Sequence, residues 1–239
     1  MGGLSTAAMP GIREEDWRAV HQQLDAQGHA LLPAPLGAAH TQCCVRMAED
    51  GVGLHRVALA SEALGRGELL YFGADLPTPL SAWRTMLYRG LAPIANAWND
   101  QLGIDHRYPA ELDRFTEHNR RAGQDRAQSH LVRLREHDCL ALHQRNGGEH
   151  VFPLQVVALL SVPGQDFTGG EFVMTEQRPR MQSRPVVLPM ACGDVAVIAT
   201  GHRPVEGANG PYRVNLKHAV SRVRGGERLG LELAFHNAP

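Results

Sequence analysis

The stretch from Tyr212 to His236 constrains the fold of this chain more than any other part of the sequence. From 212 to 220, apolar residues recur at every second position, as in a β-strand with one buried face. Arg224-Gly-Gly-Glu227 predicts a turn, after which the alternation resumes through Leu229 to Phe235. We therefore expect two antiparallel strands, with His218 on the apolar face of the first. A histidine in such a place is more often a hydrogen-bonded core residue than a metal ligand.

Composition limits the classes of protein that this chain can belong to. Its 239 residues fit one large domain, or a core domain with a helical annex. The net charge of −1 gives no overall attraction to nucleic acid, although a local basic patch remains compatible with it. The four cysteines show no disulfide spacing, and no signal segment or long apolar span is evident. These features predict a reduced, cytoplasmic protein without a membrane partner.

The predicted secondary structure changes near residue 125. Residues 1–125 are predicted to be mainly helical, with a loose leader at Met1–Gly11 and an internal proline, Pro93, expected to kink or break the longest helix. Residues 126–239 read as many short strands, typical of a sandwich or barrel. We predict a jelly roll with the helices packed outside it as one structural domain. The expected helices span 13–27, 37–49, 79–102 and 109–121, and further extended segments are expected at 29–32 and 68–72.

A second histidine lies on another predicted strand, Cys139–Arg145. Period two places His143 and Arg145 on one face of this strand. His143 and His218 lie on an early and a late strand of the predicted jelly roll, and we expect them to meet across the barrel. Two histidines and a carboxylate two residues after the first would form a facial triad for non-haem Fe(II). Arg228 follows His218 by ten residues and is placed to hold a co-substrate carboxylate by a bidentate pair.

Five motifs in the second half of the chain form a recognisable combination: Phe167-Thr-Gly-Gly-Glu-Phe-Val173, Thr175-Glu-Gln-Arg-Pro-Arg-Met-Gln-Ser-Arg184, Gly193-Asp194, His218-Ala-Val-Ser221 and Gly226-Glu-Arg228. Together they resemble the 2-oxoglutarate and Fe(II)-dependent oxygenases. The similarity is greatest to a bacterial branch proposed to act on damaged nucleic acid, and it covers roughly residues 45–238. The resemblance implies an α+β fold with a double-stranded β-helix core. It also implies that His143 and His218 bind iron, that Arg228 binds the far carboxylate of 2-oxoglutarate, and that O2 is consumed.

Arg145 departs from the pattern of that family, which carries His-x-Asp where this sequence has His143-Gln144-Arg145. An arginine offers no lone pair to a metal. With an effective dielectric of about 20, its charge at about 6 Å from a divalent ion costs on the order of 5 kcal/mol. Arg145 must therefore turn its head away from the metal or contact an anion.

Three interpretations of the arginine remain open. In the first, which we favour, two histidines hold the iron, and water, a halide or a substrate group occupies the third position. In the second, another carboxylate takes that position, with Glu149, Asp138 or Glu232 as candidates; the strand pattern puts Glu232 further from the iron. In the third, iron chemistry has been lost and only binding remains. In the favoured case, we expect the Arg145 head to point at the substrate pocket and to act as a catalytic residue that orients an anionic group.

The sequence thus predicts an oxygenase that oxidises a C–H bond of a small polar substrate, such as an amino-acid-like compound. The altered triad and the neutral charge favour this class over duplex nucleic acid. Oxidative repair of damaged nucleobases is the second hypothesis, and a non-catalytic binding protein on the same fold is the third. Gln155 is predicted to be a hydrogen-bonded core amide. Four arginines predict either an anion pocket or bonds to loop carbonyls: Arg178, Arg180, Arg184 and Arg203.

Overall fold

The computed structural model describes residues 12–32, 36–73 and 75–239, so the predicted leader at Met1–Gly11 lies outside the described residues. Two antiparallel sheets enclose the interior, and the described part of the chain also contains four α-helices. None of these helices combines the length and the hydropathy that crossing a membrane requires. The helices are α1 (Glu14–Gln27), α2 (Ala38–Asp50), α3 (Leu80–Gln101) and α4 (Leu112–Arg121).

The helices follow the sequence prediction closely, except at two prolines. The prediction is that Pro93 kinks or breaks the longest helix; helix α3 continues through Pro93, so it does not break there. Leu91 and Ile94 on either side of the proline are buried with Trp98, and this packing holds the helix together despite the lost hydrogen bond. Helix α4 begins at Leu112 rather than at Pro109, since the residues before it form a turn whose Pro109 carbonyl accepts a bond from Tyr88.

The strands form a double-stranded β-helix of two facing sheets. The first sheet has the order β1-β11-β7-β14-β5-β4-β2, and β8 pairs with β14 at its side. The second has the order β10-β9-β13-β6-β3, and β12 pairs with β13. The strands in these orders are β1 (His29–Leu31), β2 (Leu54–Ala58), β3 (Gly65–Arg66), β4 (Glu68–Phe72), β5 (His130–Arg135), β6 (Cys139–His143), β7 (Leu154–Leu159), β8 (Phe167–Gly169), β9 (Phe172–Gln177), β10 (Arg184–Leu188), β11 (Val195–Ala199), β12 (His202–Val205), β13 (Tyr212–Val220) and β14 (Val223–Leu233).

The strand pair predicted around His218 is β13 and β14, but its two members belong to different sheets. β13 buries Val214, Leu216 and His218 at every second position, as the alternation predicts. β14 runs through the first sheet between β5 and β7. The short connection after Val220 therefore turns a corner of the barrel, and side chains of β13 and β14 face each other across the interior. This arrangement places the candidate site between the sheets.

Candidate active site

His143 and His218 lie side by side on neighbouring strands. They are direct register partners in the antiparallel pair of β6 and β13, and their ring centroids are 4.2 Å apart. The expectation that the histidines meet is therefore correct in the structure. The expectation that they meet across the barrel is wrong, because both strands belong to the same sheet.

A β-bulge sets the direction of His143. His218 pairs with His143 and Val220 pairs with Leu140, so three steps along β6 match two along β13. Leu140 and His143 are consequently both buried, while Ala141 and Leu142 between them are exposed. Strict period two would put Ala141 on the same face as His143, and the bulge breaks that period here. Bulges of this kind commonly re-aim a side chain next to a functional site.

Glu232 joins the two histidines from the opposite sheet. The ligand atoms of His143, His218 and Glu232 all lie within 4.8 Å of one another, and the three residues are at most 8% exposed. The other two carboxylates considered from the sequence lie outside this cluster. The side chain of Glu149 is 75% exposed, and Asp138 contacts Arg66. The estimate that Glu232 is further from the iron position is wrong, since β14 faces β6 and β13 across the barrel.

Arg145 points into this buried cluster. Its Nε donates to Glu232 Oε2 at 3.3 Å, Nη2 donates to His130 Nε2 at 3.1 Å, and Nη1 donates to the Tyr71 hydroxyl at 3.4 Å. The side chain is 8% exposed. The guanidinium is therefore turned to Glu232, and the expectation that it points at a substrate pocket is corrected by these contacts.

His130 and Tyr71 are members of the cluster that the sequence analysis missed. His130 is fully buried at the start of β5, directly opposite Glu232 in register, and its ring contacts the Tyr71 ring at 5.0 Å. Its Nδ1 donates to the Gln128 carbonyl at 2.7 Å, which leaves Nε2 as the acceptor for Arg145. The alternation of His130 with Val132 and Leu134 in the sequence is the signal that this face is inward.

Gln155 is the remaining polar group beside the histidines. Its Nε2 lies 3.1 Å from His218 Nε2 in the interior of the barrel. The prediction of a hydrogen-bonded core amide agrees with this contact. The contact also makes Gln155 a direct neighbour of the candidate metal position.

Burial and local charges fix the protonation states of the cluster. Burial, followed by the nearby His218, lowers the pKa of His143 to about 3, so the ring is neutral at pH 7. Burial alone would raise the pKa of Glu232, but His130, His218 and Arg145 together lower it well below its usual range. Burial also opposes the charge of Arg145, yet Glu232 and Tyr71 raise its pKa above the usual value. The site thus contains a neutral His143, a carboxylate and a guanidinium.

The donor set fits a divalent iron. Nδ1 of His143 donates to the Ala141 carbonyl at 2.9 Å, and its Nε2 is buried with no hydrogen-bond partner among the described residues. A neutral imidazole held in this tautomer presents its free lone pair to a metal, and the backbone bond orients the ring. Two imidazoles and a carboxylate are the donor types that non-haem Fe(II) sites use. His143, His218 and Glu232 are therefore the residues that would hold the ion.

Arg228 lies four residues before Glu232 on β14, so both side chains are on the same face of the strand. It is 4% exposed, and it has no hydrogen bond or ion pair with any residue in the described part of the chain. Its guanidinium carbon lies 5.9 Å from the centroid of Phe167, and burial lowers its pKa to about 10, so it remains charged at pH 7. It borders a cavity of about 430 Å³ that Phe167, Phe172 and Met190 also line. A buried cation beside a cavity and without an acceptor fits an anionic ligand.

The arginines considered for a second anion pocket divide into two groups. Arg203 is buried and donates to Glu176 and to the carbonyls of Asp25 and Ala26, so it has a structural role. Arg178 also donates to Glu176, at 3.0 Å. Arg180 and Arg184 are exposed on the hairpin between β9 and β10. The four residues therefore do not form one pocket.

One relative is similar to this chain in sequence, and two solved structures are similar to it in fold. An uncharacterised protein of Mycobacterium tuberculosis, Rv2227, is 38% identical over 177 residues, which span 74% of this chain and 76% of the relative. A Burkholderia pseudomallei oxidoreductase of the 2OG-Fe(II) oxygenase family has a TM-score of 0.50 at 20% identity, with 98% of each chain covered. A Trichoplax adhaerens prolyl hydroxylase, solved with a peptide of hypoxia inducible factor, has a TM-score of 0.57 at 14% identity, covering 94% of this chain and 91% of that one.

A sequence family matches most of the chain. The Oxygenase-NA family, described as "Oxygenase, catalysing oxidative methylation of damaged DNA", matches residues 67–238. The match includes the strands that carry the histidines, Glu232, Arg145 and Arg228. The prediction of an oxygenase is confirmed by this family, and the predicted double-stranded β-helix is the fold that the chain shares with the solved oxygenase and hydroxylase structures. The chain is a member of the Oxygenase-NA family.

Proposed function

We propose that this chain binds Fe(II) through His143 and His218, binds 2-oxoglutarate through Arg228, and oxidises a C–H bond of its substrate. The observation that carries this proposal is the pairing of two features in one barrel interior. One is the contact between two buried histidines, and the other is a buried arginine without an acceptor among the described residues. The arginine does not stabilise the fold by itself, since a buried charge without an acceptor costs free energy.

Iron together with 2-oxoglutarate supplies the oxidising power that breaks a C–H bond with O2. The chain supplies the arrangement around it. Because the Ala141 carbonyl accepts from His143 Nδ1, the ring keeps its Nε2 toward the interior. Arg228 presents a planar fork to a carboxylate, and the apolar walls around it strengthen this pair by excluding water.

The role of Arg228 is tested by binding of 2-oxoglutarate, measured by calorimetry in the presence of Mn(II) without O2. We expect Arg228→Ala to weaken binding by at least 30-fold, because a charged group inside the barrel loses its partner, an effect of about 2–5 kcal/mol. Arg228→Lys should recover part of the loss, since lysine has no planar fork. Arg222→Ala is the matched control: Arg222 is exposed near the start of β14 and should be neutral. A loss in the control but not in Arg228→Ala would move the carboxylate clamp to Arg222.

For the substrate, our first candidate is a small polar molecule, such as an amino-acid-like compound. The net charge of −1 gives little attraction to a polyanion. The histidines, Glu232 and Arg145 are all buried, which suits a molecule that the barrel can enclose. Succinate formation over a panel of small substrates tests this candidate.

The second candidate is a damaged nucleobase, and the description of the Oxygenase-NA family favours it. The exposed Arg180 and Arg184 on the hairpin are available for phosphate contacts. A base would have to leave its stack to reach a buried centre, so single-stranded oligonucleotides with methylated bases are the appropriate substrates. Succinate formed with such oligonucleotides and not with the small-molecule panel would select this candidate. Binding of metal and 2-oxoglutarate without turnover on either panel would instead support a non-catalytic binding protein.

A further inference from the structure

The buried ion pair of Arg145 and Glu232 joins the two sheets of the barrel. Arg145 follows the end of β6, at the sequence position where the motif of related oxygenases carries an aspartate. Glu232 lies on β14 in the facing sheet, and the two side chains meet at 3.3 Å. An acid is thus present at the histidines, but it comes from the opposite wall.

We propose that Glu232 is the carboxylate ligand of the metal and that Arg145 is its fixed counter-charge. The acid then comes from β14 in the facing sheet, and a base follows the end of β6. This inference rests on the proposed function, because it presupposes a metal held by His143 and His218. Arg145 is then a positioning residue that acts through Glu232.

The contacts of Glu232 leave one oxygen available. Its contacts with Arg145, His130 and His218 all use Oε2, at 3.3, 3.5 and 3.9 Å. Oε1 accepts no hydrogen bond from any residue of the described part of the chain, and Glu232 lines the small interior cavity that also reaches Arg228. One oxygen of the carboxylate is thus held by its neighbours, and the other has no hydrogen bond within the described residues, which leaves it available to a metal as a monodentate ligand.

The balance of charges also requires Glu232. Arg145 and Arg228 place two positive charges in the same barrel interior, and a divalent ion adds two more. Glu232 is the one carboxylate within the cluster of the described residues that opposes these positive charges before an anionic co-substrate binds. Without this carboxylate, Arg145 would repel the metal. The Glu232 carboxylate therefore makes the charge of Arg145 compatible with a metal, and Arg145 in turn holds that carboxylate in its ionised form.

The test is metal affinity, measured without 2-oxoglutarate by anaerobic titration with Fe(II) and by the visible absorption of bound Co(II). We expect about one ion per wild-type chain. Glu232→Gln keeps the size of the side chain and removes the charge, and it should weaken binding at least tenfold and change the Co(II) spectrum. Glu227→Gln is the matched control on the same strand, where the side chain is 46% exposed, and it should bind as the wild type does.

Two double variants test whether an acid on the β6 side can replace Glu232 as the ligand. They also control for unfolding caused by a single unpaired buried charge. Arg145→Gln combined with Glu232→Gln removes both buried charges. It should bind metal more weakly than the wild type but more tightly than Glu232→Gln, because the repulsion from Arg145 is removed together with the carboxylate. Arg145→Asp combined with Glu232→Gln returns the acid to the β6 side and should recover most of the lost affinity. Both variants are checked for native circular dichroism before titration.

The outcomes separate this inference from the proposed function. Wild-type affinity in Glu232→Gln and in the double glutamine variant would overturn the inference and leave the two histidines as the protein's ligands. Failure of Arg145→Asp/Glu232→Gln to recover affinity would overturn the idea that an acid on the β6 side can replace Glu232 as the ligand. No metal binding by the wild type, with native 2-oxoglutarate binding or without it, would overturn the iron site itself and this inference with it.

Discussion

Two buried arginines face the same barrel interior, and their surroundings differ. Arg145 donates to a carboxylate, an imidazole and a hydroxyl, and its pKa is raised. Arg228 is equally buried, but it has no acceptor among the described residues, and burial lowers its pKa to about 10. Both guanidiniums are removed from water, so the first is compensated within the fold and the second is not. The comparison teaches that burial alone does not indicate function, whereas burial without a partner does.

The largest effect expected from this comparison concerns stability. Arg145→Met leaves the Glu232 carboxylate buried without its cation, and should lower the free energy of unfolding by about 3–5 kcal/mol. Arg228→Met removes a buried charge that has no partner, and should leave stability unchanged or raise it. Urea denaturation of both metal-free variants at pH 7.5, without 2-oxoglutarate, measures the difference.

Arg135→Met provides the control for this experiment. Arg135 on β5 pairs with Glu227 on β14 at 3.0 Å, but its side chain is 57% exposed. An exposed pair of this kind contributes at most about 1 kcal/mol. Equal destabilisation by Arg145→Met and Arg228→Met would break the comparison, because it would mean that Arg228 also has a partner within the fold.

The second prediction is the pH dependence of stability in the metal-free protein. Burial, followed by Arg145, lowers the pKa of His130 to about 4, and burial lowers that of His143 to about 3. Below pH about 6.5 the unfolded chain therefore binds protons that the folded chain does not. Stability should fall as the pH decreases from about 6.5 to 4, by up to about 1.4 kcal/mol per pH unit for each histidine.

Two histidine variants sharpen that prediction. His130→Gln should flatten the decline of unfolding free energy between pH 6.5 and 4, because one of the protons taken up on unfolding is removed. His55→Gln, at an exposed position on β2, should leave the slope unchanged. A slope that is the same in the wild type and in His130→Gln would show that His130 is protonated in the folded chain.

The smallest expected effect is that of a methyl group between the two charged residues of β14. A Cβ at Gly230 would lie 3.1 Å from Arg228 Nη1, which is closer than ordinary contact. Gly230→Ala should shift the guanidinium and weaken 2-oxoglutarate binding a few-fold, with metal affinity unchanged. Gly225→Ala is the control on the same strand, where the nearest atom is a hydroxyl at 3.4 Å. Weaker metal binding in Gly230→Ala would show that the position of Arg228 also affects the metal site.

The sequence predicted the parts of this site that depend on one strand at a time. The alternation around His218 gave the correct buried face of β13, and Glu68–Phe72 and the helices lie close to their expected positions. Pro93 misled the prediction because tertiary packing of Leu91, Ile94 and Trp98 decides the helix there.

What the sequence could not predict depends on pairs of elements. The bulge that turns His143 inward is a mismatch between β6 and β13, and it leaves no periodic signal in β6 alone. The contact of Arg145 with Glu232 depends on how the two sheets face each other, over 87 residues of sequence separation. The same holds for His130, whose place beside Glu232 follows from the register of β5 with β14.

β14 carries Arg228, Gly230 and Glu232 on one face, and this has a consequence for how the family can diverge. Side chains alternate along a strand, so inserting or deleting one residue between 228 and 232 would turn either the arginine or the glutamate outward. At about 3.4 Å per residue, the strand also fixes a spacing of roughly 14 Å between the two Cα positions. A substitution of Arg228 or of Glu232 changes one of the two groups. A change in the length of the segment between them turns one of the two side chains away from the interior. In lineages that keep this architecture, we expect the interval from 228 to 232 to be free of insertions and deletions.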